Sequence, residues 1–146
     1  MDANVIKNGI LAGLAVFGSF AANALGGWDA AMQVLVALMV ADYITGVLVA
    51  AVWHKSSKSS SGTLNSVAGF KGLLKKCAIL ALVWIGVLLD NATGANYIRT
   101  AVVLFFIGNE GISLLENLGL MGVPYPTFLK KALEALHDRG DQGEDN

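Results

Sequence analysis

The segment Ile98–Leu120 constrains the fold of this chain more than any other stretch, because it is both long and unevenly polar. As a helix it would extend about 34 Å, at about 1.5 Å per residue, which is enough to cross a bilayer. Residues 101–107 are almost pure hydrocarbon. Polar residues then stand among leucines: Asn109, Glu110, Ser113, Glu116 and Asn117. The pattern predicts a membrane-spanning helix with one polar face.

Helical spacing divides these polar residues into two adjacent stripes. Residues 109, 113 and 116 form one stripe, and residues 110, 113 and 117 form the other. The apolar residues of the segment favour insertion by about 4 to 7 kcal/mol, whereas each acid near the bilayer centre costs about 2.5 to 3.5 kcal/mol. The segment is therefore expected to insert marginally alone and to place its polar stripes against protein or water.

The composition assigns the whole chain to the integral membrane proteins. Of its 146 residues, 55% are hydrophobic and 14% are charged, and the mean hydropathy is +0.60. Soluble domains carry about 25% charged residues, and one this small could not bury so much apolar surface. The net charge of −1 gives no basic balance that would indicate a nucleic-acid partner.

Residues for catalysis or metal binding are not arranged in any known pattern. Cys77 is the only cysteine, so neither an internal disulfide nor a zinc cluster is expected. His54 and His137 lack metal-ligand spacing and are expected at the interface or in solvent. There is no G-x-S-x-G, H-E-x-x-H or Walker A motif. We expect no enzyme activity, no metal and no cofactor.

Apolar runs predict an all-α protein with four transmembrane helices, at about residues 9–25, 30–53, 75–90 and 98–120. Two short amphipathic helices are predicted at 64–76, within a basic cytoplasmic loop 54–76, and at 127–139. Residues 1–123 would form the transmembrane domain, and 124–146 a cytoplasmic helix with a disordered acidic tail. Residues 1–24 also resemble a cleavable signal peptide ending in Ala22-Asn23-Ala24, and its removal would leave three spans.

Charge distribution predicts the orientation. With four spans, nine of the ten Lys and Arg residues lie on one side and only Arg99 lies on the other. This bias is typical of the cytoplasmic side, so both termini are expected there. Lys71, Lys75 and Lys76 are expected to bind the anionic surface of the inner leaflet, with a role in topology alone as the equal alternative.

Two kinds of residue predict contacts between helices. Asp42 lies inside the second span, where a carboxylate indicates a functional site or a hydrogen bond to another helix. Small residues at helical spacing favour close packing, or reflect only the usual composition of membrane helices: Gly9 and Gly13 in the first span, and Ala37, Ala41 and Thr45 in the second. Because four helices cannot enclose a wide hole, the residues favour an oligomeric channel or pore, with a small transporter subunit as the competitor.

Three motifs carry a resemblance to a known family. They are DYITG from Asp42, GFKG from Gly69 with Lys75-Lys76, and NEGISLLENLGLMGVPYP from Asn109. In this order and spacing they resemble phage holins of the toxin-secretion/phage-lysis holin family, over residues 30–136. The resemblance implies a phage-encoded protein that accumulates in the bacterial cytoplasmic membrane and opens it suddenly. Endolysin then reaches the peptidoglycan as the functional partner, no direct contact with the holin being implied, and some relatives export toxins.

The resemblance implies homo-oligomers and gives the polar residues a role. We expect six of them to line the pore or to contact a neighbouring subunit, with the first as partner or lock for the others: Asp42, Asn109, Glu110, Ser113, Glu116 and Asn117. An antiholin or regulatory membrane partner of the same fold remains an alternative. A small ion or solute channel, or a transporter subunit, is the other.

Overall fold

The computed structural model describes residues 2–143, and this part of the chain is helical without β-strands. The elements are α1 (Ala3–Ala24), α2 (Ala30–Leu48) with a π-helical turn (Val49–Trp53), α3 (Ser66–Thr93), α4 (Ile98–Leu120) and α5 (Thr127–Gln142). By length and composition four segments can cross a membrane: Ala3–Ala24, Ala30–Trp53, Ser66–Thr93 and Ile98–Leu120. The prediction of an all-α membrane protein is confirmed.

The packed core lies where α2, α3 and α4 meet. Its buried side chains include Met32 and Leu35 from α2, Ile79 and Val83 from α3, and Val103 from α4. On α1, by contrast, no residue is buried. Lipid or another protein surface must therefore cover α1 in the membrane, because its apolar side chains cannot face water.

Arg99 ties the α1–α2 turn to the start of α4. Its Nε donates to the carbonyl oxygen of Leu25 at 2.6 Å, and its Nη1 lies 2.6 Å from Asp29 Oδ2. The hydrogen bond from the Arg99 guanidinium lowers the pKa of Asp29, although partial burial opposes it. Asp90 Oδ1 and Oδ2 accept hydrogen bonds from the amides of Ile98 and Arg99, at 2.9 and 3.0 Å. Asp90 thus satisfies two amides that the first turn of α4 would leave without partners.

The first predicted amphipathic segment is not a separate helix. Residues 66–76 form the N-terminal part of α3, which continues without a break into the third span. Its glycines do not interrupt it because Cβ atoms at Gly69 and Gly72 would lie 3.6 Å from Tyr43, whose side chain packs beside them. Tertiary packing therefore compensates for their weak helix propensity, and the basic loop shortens to residues 54–65.

The C-terminal helix folds back along α4 instead of projecting beyond the bundle. Leu133 packs against Gly111, and Gly140 contacts the backbone of Phe105. Between them, the ring centroids of His137 and Phe105 lie 4.1 Å apart. These contacts run antiparallel, so α5 ends beside the first turns of α4, opposite to the predicted cytoplasmic end. His137 is half-buried in this contact.

Glycines on α4 allow this close approach. A Cβ at Gly108 would lie 2.6 Å from the amide nitrogen of His137, and one at Gly111 would lie 2.6 Å from Leu133 Cδ2. The helix also extends past Gly140, where a disordered tail was predicted to begin, as far as Gln142. The end of that predicted tail, residues 144–146, lies outside the described residues.

Candidate functional site

Three charged side chains meet inside the bundle, one from each of α2, α3 and α4. Asp42 and Glu110 are 3% and 1% exposed. Lys76 Nζ donates to Asp42 Oδ2 at 2.8 Å and also to Glu110 Oε2. We call Asp42, Lys76 and Glu110 the buried charge cluster. One ammonium group thus bridges two carboxylates on different helices.

Neutral polar side chains complete the hydrogen bonding around Asp42. Ser113 Oγ donates to Asp42 Oδ1 at 2.7 Å. Asn117 Nδ2 donates to Asp42 Oδ1 at 3.0 Å and to Thr45 Oγ1 at 3.1 Å. Lys58 approaches from the rim, with its Nζ 3.6 Å from Asp42 Oδ2. Within residues 2–143, no buried side-chain nitrogen or oxygen lacks a hydrogen-bond partner.

The cluster lies deep along the spans. Asp42 and Glu110 each follow the start of their helix by 12 residues, or about 18 Å at about 1.5 Å per residue. A hydrocarbon core of about 30 Å would place both carboxylates near its middle. Charges at that depth are tolerated when they pair with one another and their remaining lone pairs are satisfied. This arrangement meets both conditions and holds three helices together.

The structure brings together four of the six polar residues expected to act jointly. Asp42, Glu110, Ser113 and Asn117 share one hydrogen-bonded group, in which Lys76 links Glu110 to Asp42. The other two lie elsewhere on α4: Asn109 is half-buried, and Glu116 is exposed. The stripe of residues 110, 113 and 117 is thus the one that faces Asp42. The other stripe keeps only Ser113 in contact with it.

Lys76 does not belong with the lysines expected at the membrane surface. Its side chain is 12% exposed, whereas Lys71 and Lys75 are exposed. A buried lysine amine must find partners, and the two carboxylates supply them. The sequence held a signal for this, because Lys76 is spaced by three and seven residues from the buried Ile79 and Val83. Lys75 lies about 100° away on the helix.

Only some of the small residues expected at helix contacts pack against another part of the same chain. A Cβ added at Gly9 or Gly13 would have nothing within 4 Å, and Ala37 is exposed. Ala41 and Thr45 are half-buried, and Thr45 Oγ1 donates to the Ala41 carbonyl oxygen at 2.8 Å. Of these five residues, only Ala41 and Thr45 therefore contribute to helix packing inside one chain.

The described residues offer no constellation for metal chemistry. Among residues 2–143, no three His, Cys, Asp or Glu side chains are grouped so that they could hold a metal ion. Cys77 is exposed on α3. The buried charge cluster can hold the helices together, because breaking it would leave a buried charge without its partner.

Comparison with known proteins points in one direction. A family model described as the bacteriophage holin family matches residues 19–138. An uncharacterized protein of Listeria innocua is 42% identical over 142 residues, covering 96% of this chain and 93% of that protein. One of Clostridium perfringens is 37% identical over 131 residues, with 88% and 91% covered. A protein of Bacillus phage phi105 named probable holin is 30% identical over 112 residues, with 76% and 77% covered. No solved structure matches.

Proposed function

Because this chain belongs to the bacteriophage holin family, we propose that it is a holin that opens the bacterial cytoplasmic membrane. It is a multi-pass membrane protein. Copies assemble into homo-oligomers, and the holes they form release an endolysin, or in some settings a toxin, so that the host cell lyses. The released enzyme passes through the hole and needs no binding site on this chain.

The observation that carries the proposal is a highly charged helix packed along a membrane-spanning one. The outward charged residues of α5 are Lys130, Lys131, Glu134, Asp138, Arg139 and Asp141. Facing lipid near the bilayer centre, Asp138 would cost about 2.5 to 3.5 kcal/mol, and Glu134 would add to this cost although it lies 3.8 Å from Lys130. A lone copy in lipid has no way to hydrate them. Copies arranged around a water-filled hole can hydrate these side chains, so the outward face of α5 lines the lumen of the hole.

The buried charge cluster supports a closed state that precedes the hole. With Asp42, Lys76 and Glu110 paired internally, one chain can wait in the membrane without exposing those charges. Asn109 and Glu116, on another face of α4, remain available for a neighbouring subunit or for the lumen. The exposed apolar surface of α1 suits contact with lipid. Hole formation then depends on how many copies accumulate.

A first experiment separates this function from its alternatives. The chain is expressed from an inducible promoter in a bacterium, and growth, membrane potential and leakage of a cytoplasmic enzyme are followed together. A holin gives abrupt arrest with enzyme release after a delay. Depolarisation without enzyme release would identify a small channel or transporter, and no effect at high membrane levels would identify an antiholin.

A second experiment tests the lining of the hole. Purified protein is placed in planar bilayers under a salt gradient, at about 10 mM salt, where the Debye length is about 30 Å. Asp138→Lys should shift the reversal potential toward anion selectivity. Asp2→Lys makes the same charge change on an exposed residue at the start of the chain and is the matched control. Conducting holes with equal reversal potentials for both variants would remove α5 from the lumen.

A further inference from the structure

A basic cavity lies between α2 and α3, where residues 54–65 connect them. Its volume is about 290 Å³. Two of the sequence motifs that carry the family resemblance face each other across it, the first through Tyr43 and Gly46 and the second through Gly69, Lys71 and Gly72. We propose that this cavity binds the phosphodiester headgroup of an anionic phospholipid.

The charges of the lining favour an anion. Four lysines line the cavity with a single carboxylate: Lys58, Lys71, Lys75 and Lys76 with Asp42. Asp42 Oδ2 forms ion pairs with two of these lysines, at 2.8 Å from Lys76 Nζ and 3.6 Å from Lys58 Nζ. Lys71 and Lys75, both exposed and one helical turn apart, leave an excess of positive charge in the lining. Basic pockets of this kind, between helices at the membrane surface, suit phospholipid headgroups.

Two glycines keep the cavity open next to a hydroxyl group. A Cβ at Gly69 would lie 3.6 Å from Tyr43 Oη, and a Cβ at Gly72 would lie 3.6 Å from Tyr43 Cε2. Side chains longer than alanine at these positions would occupy the space in front of the tyrosine. The phenol hydroxyl can donate a hydrogen bond to a phosphate oxygen, and Ala68 in the first turn of α3 also lines the cavity.

The neighbouring surface identifies a lipid as the source of the phosphate. Val67, Phe70 and Leu74 on the same stretch of α3 are 58%, 62% and 53% exposed. These apolar side chains stand beside Lys71 and Lys75, so a ligand held by the lysines would lay hydrocarbon against them. A free phosphate ion would leave this apolar surface in contact with water or unrelated lipid.

The test measures lipid binding by protein purified in detergent, which does not depend on hole formation. Native mass spectrometry follows titration with dioleoyl phosphatidylglycerol or with dioleoyl phosphatidylcholine. Wild type should bind phosphatidylglycerol selectively, and Lys71→Gln with Lys75→Gln should weaken that binding about 30-fold. Lys130→Gln with Lys131→Gln removes the same charge from exposed positions on α5 and should leave binding unchanged.

A second variant keeps every charge and fills the space. Ala68→Leu places a larger side chain into the cavity wall and preserves helix propensity, so it should also weaken phosphatidylglycerol binding while helicity by circular dichroism is retained. Equal loss in both lysine double variants would reduce the effect to general electrostatics and overturn the proposal. Displacement of the lipid by millimolar inorganic phosphate would instead assign the site to a free anion, and absence of selective binding would eliminate it.

Discussion

Replacing Lys76 by methionine tests the central interaction of the bundle. The substitution keeps a side chain of similar length and removes the cation shared by Asp42 and Glu110. Lys58, 3.6 Å from Asp42, still compensates that carboxylate in part, whereas Glu110 is left buried without its cation. Removing one partner of a buried ion pair costs about 3 to 5 kcal/mol. We expect a loss of unfolding free energy in that range.

A double-mutant cycle separates the energy of the Lys76–Glu110 interaction from the other effects of the single substitutions. Glu110→Gln leaves the Lys76–Asp42 pair in place and should cost about 1.5 to 3 kcal/mol, the value of a hydrogen bond to a charged group. In the double variant no carboxylate remains unpaired at position 110, so its loss should fall short of the sum of the single losses by about 2 kcal/mol or more. Unfolding is followed by tryptophan fluorescence in detergent micelles with increasing sodium dodecyl sulfate.

Lys75→Met is the matched control, because Lys75 is the adjacent lysine and is exposed. It should change the unfolding free energy by less than about 0.5 kcal/mol. If Lys76→Met loses no more than this control, or if the two single losses simply add, the Lys76–Glu110 pair does not stabilise the bundle. In cells, both Lys76→Met and Glu110→Gln should bring lysis forward if the cluster holds the closed state. Unchanged lysis timing would mean that the cluster has no part in triggering.

Two further predictions concern the ends of the bundle. Because the Arg99 hydrogen bond lowers the pKa of Asp29 in the folded protein, the stability it gives is present at neutral pH and is lost only as the pH falls through that lowered pKa. Asp29→Asn should therefore cost less than about 1 kcal/mol at pH 7 and flatten the acid limb of stability measured against pH; an unchanged limb would contradict this. At the α4–α5 contact, Gly108→Ala places a Cβ against the α5 backbone and should cost about 1 to 3 kcal/mol, with faster hydrogen exchange in α5. Gly119→Ala, whose Cβ would lie 3.9 Å from Tyr125, is the control and should be neutral or slightly stabilising; equal exchange in both would refute the packing.

The local sequence pattern predicted the membrane helices well, because the ability of a segment to span the membrane depends on its own residues. An apolar run of about 20 residues spans a bilayer whatever its neighbours are, and α4 begins and ends at the residues predicted for the fourth span. The family was also indicated by short motifs along the chain, and the family match over residues 19–138 confirms it.

Contacts between segments that are distant in the sequence were harder to predict. Asp42 and Glu110 could each be recognised as intramembrane acids, yet the residue that joins them, Lys76, was grouped with its basic neighbours as a surface lysine. Side chains 34 residues apart in sequence meet here, and no local periodicity specifies that distance. The return of α5 along α4 was missed for the same reason, since Gly108 and Gly111 acquire meaning only from the helix that packs on them.

By itself, then, the sequence determined the helices and their membrane character, because hydrophobicity and helix length act locally, and its motifs carried the resemblance to the family. The tertiary structure decided which charges neutralise one another and which remain outside. That decision depends on the relative rotation of α2, α3 and α4, which buries Lys76 inside the bundle while Lys71 and Lys75 stay exposed. A charge buried among helices must find a partner, and only the packed chain shows where that partner lies.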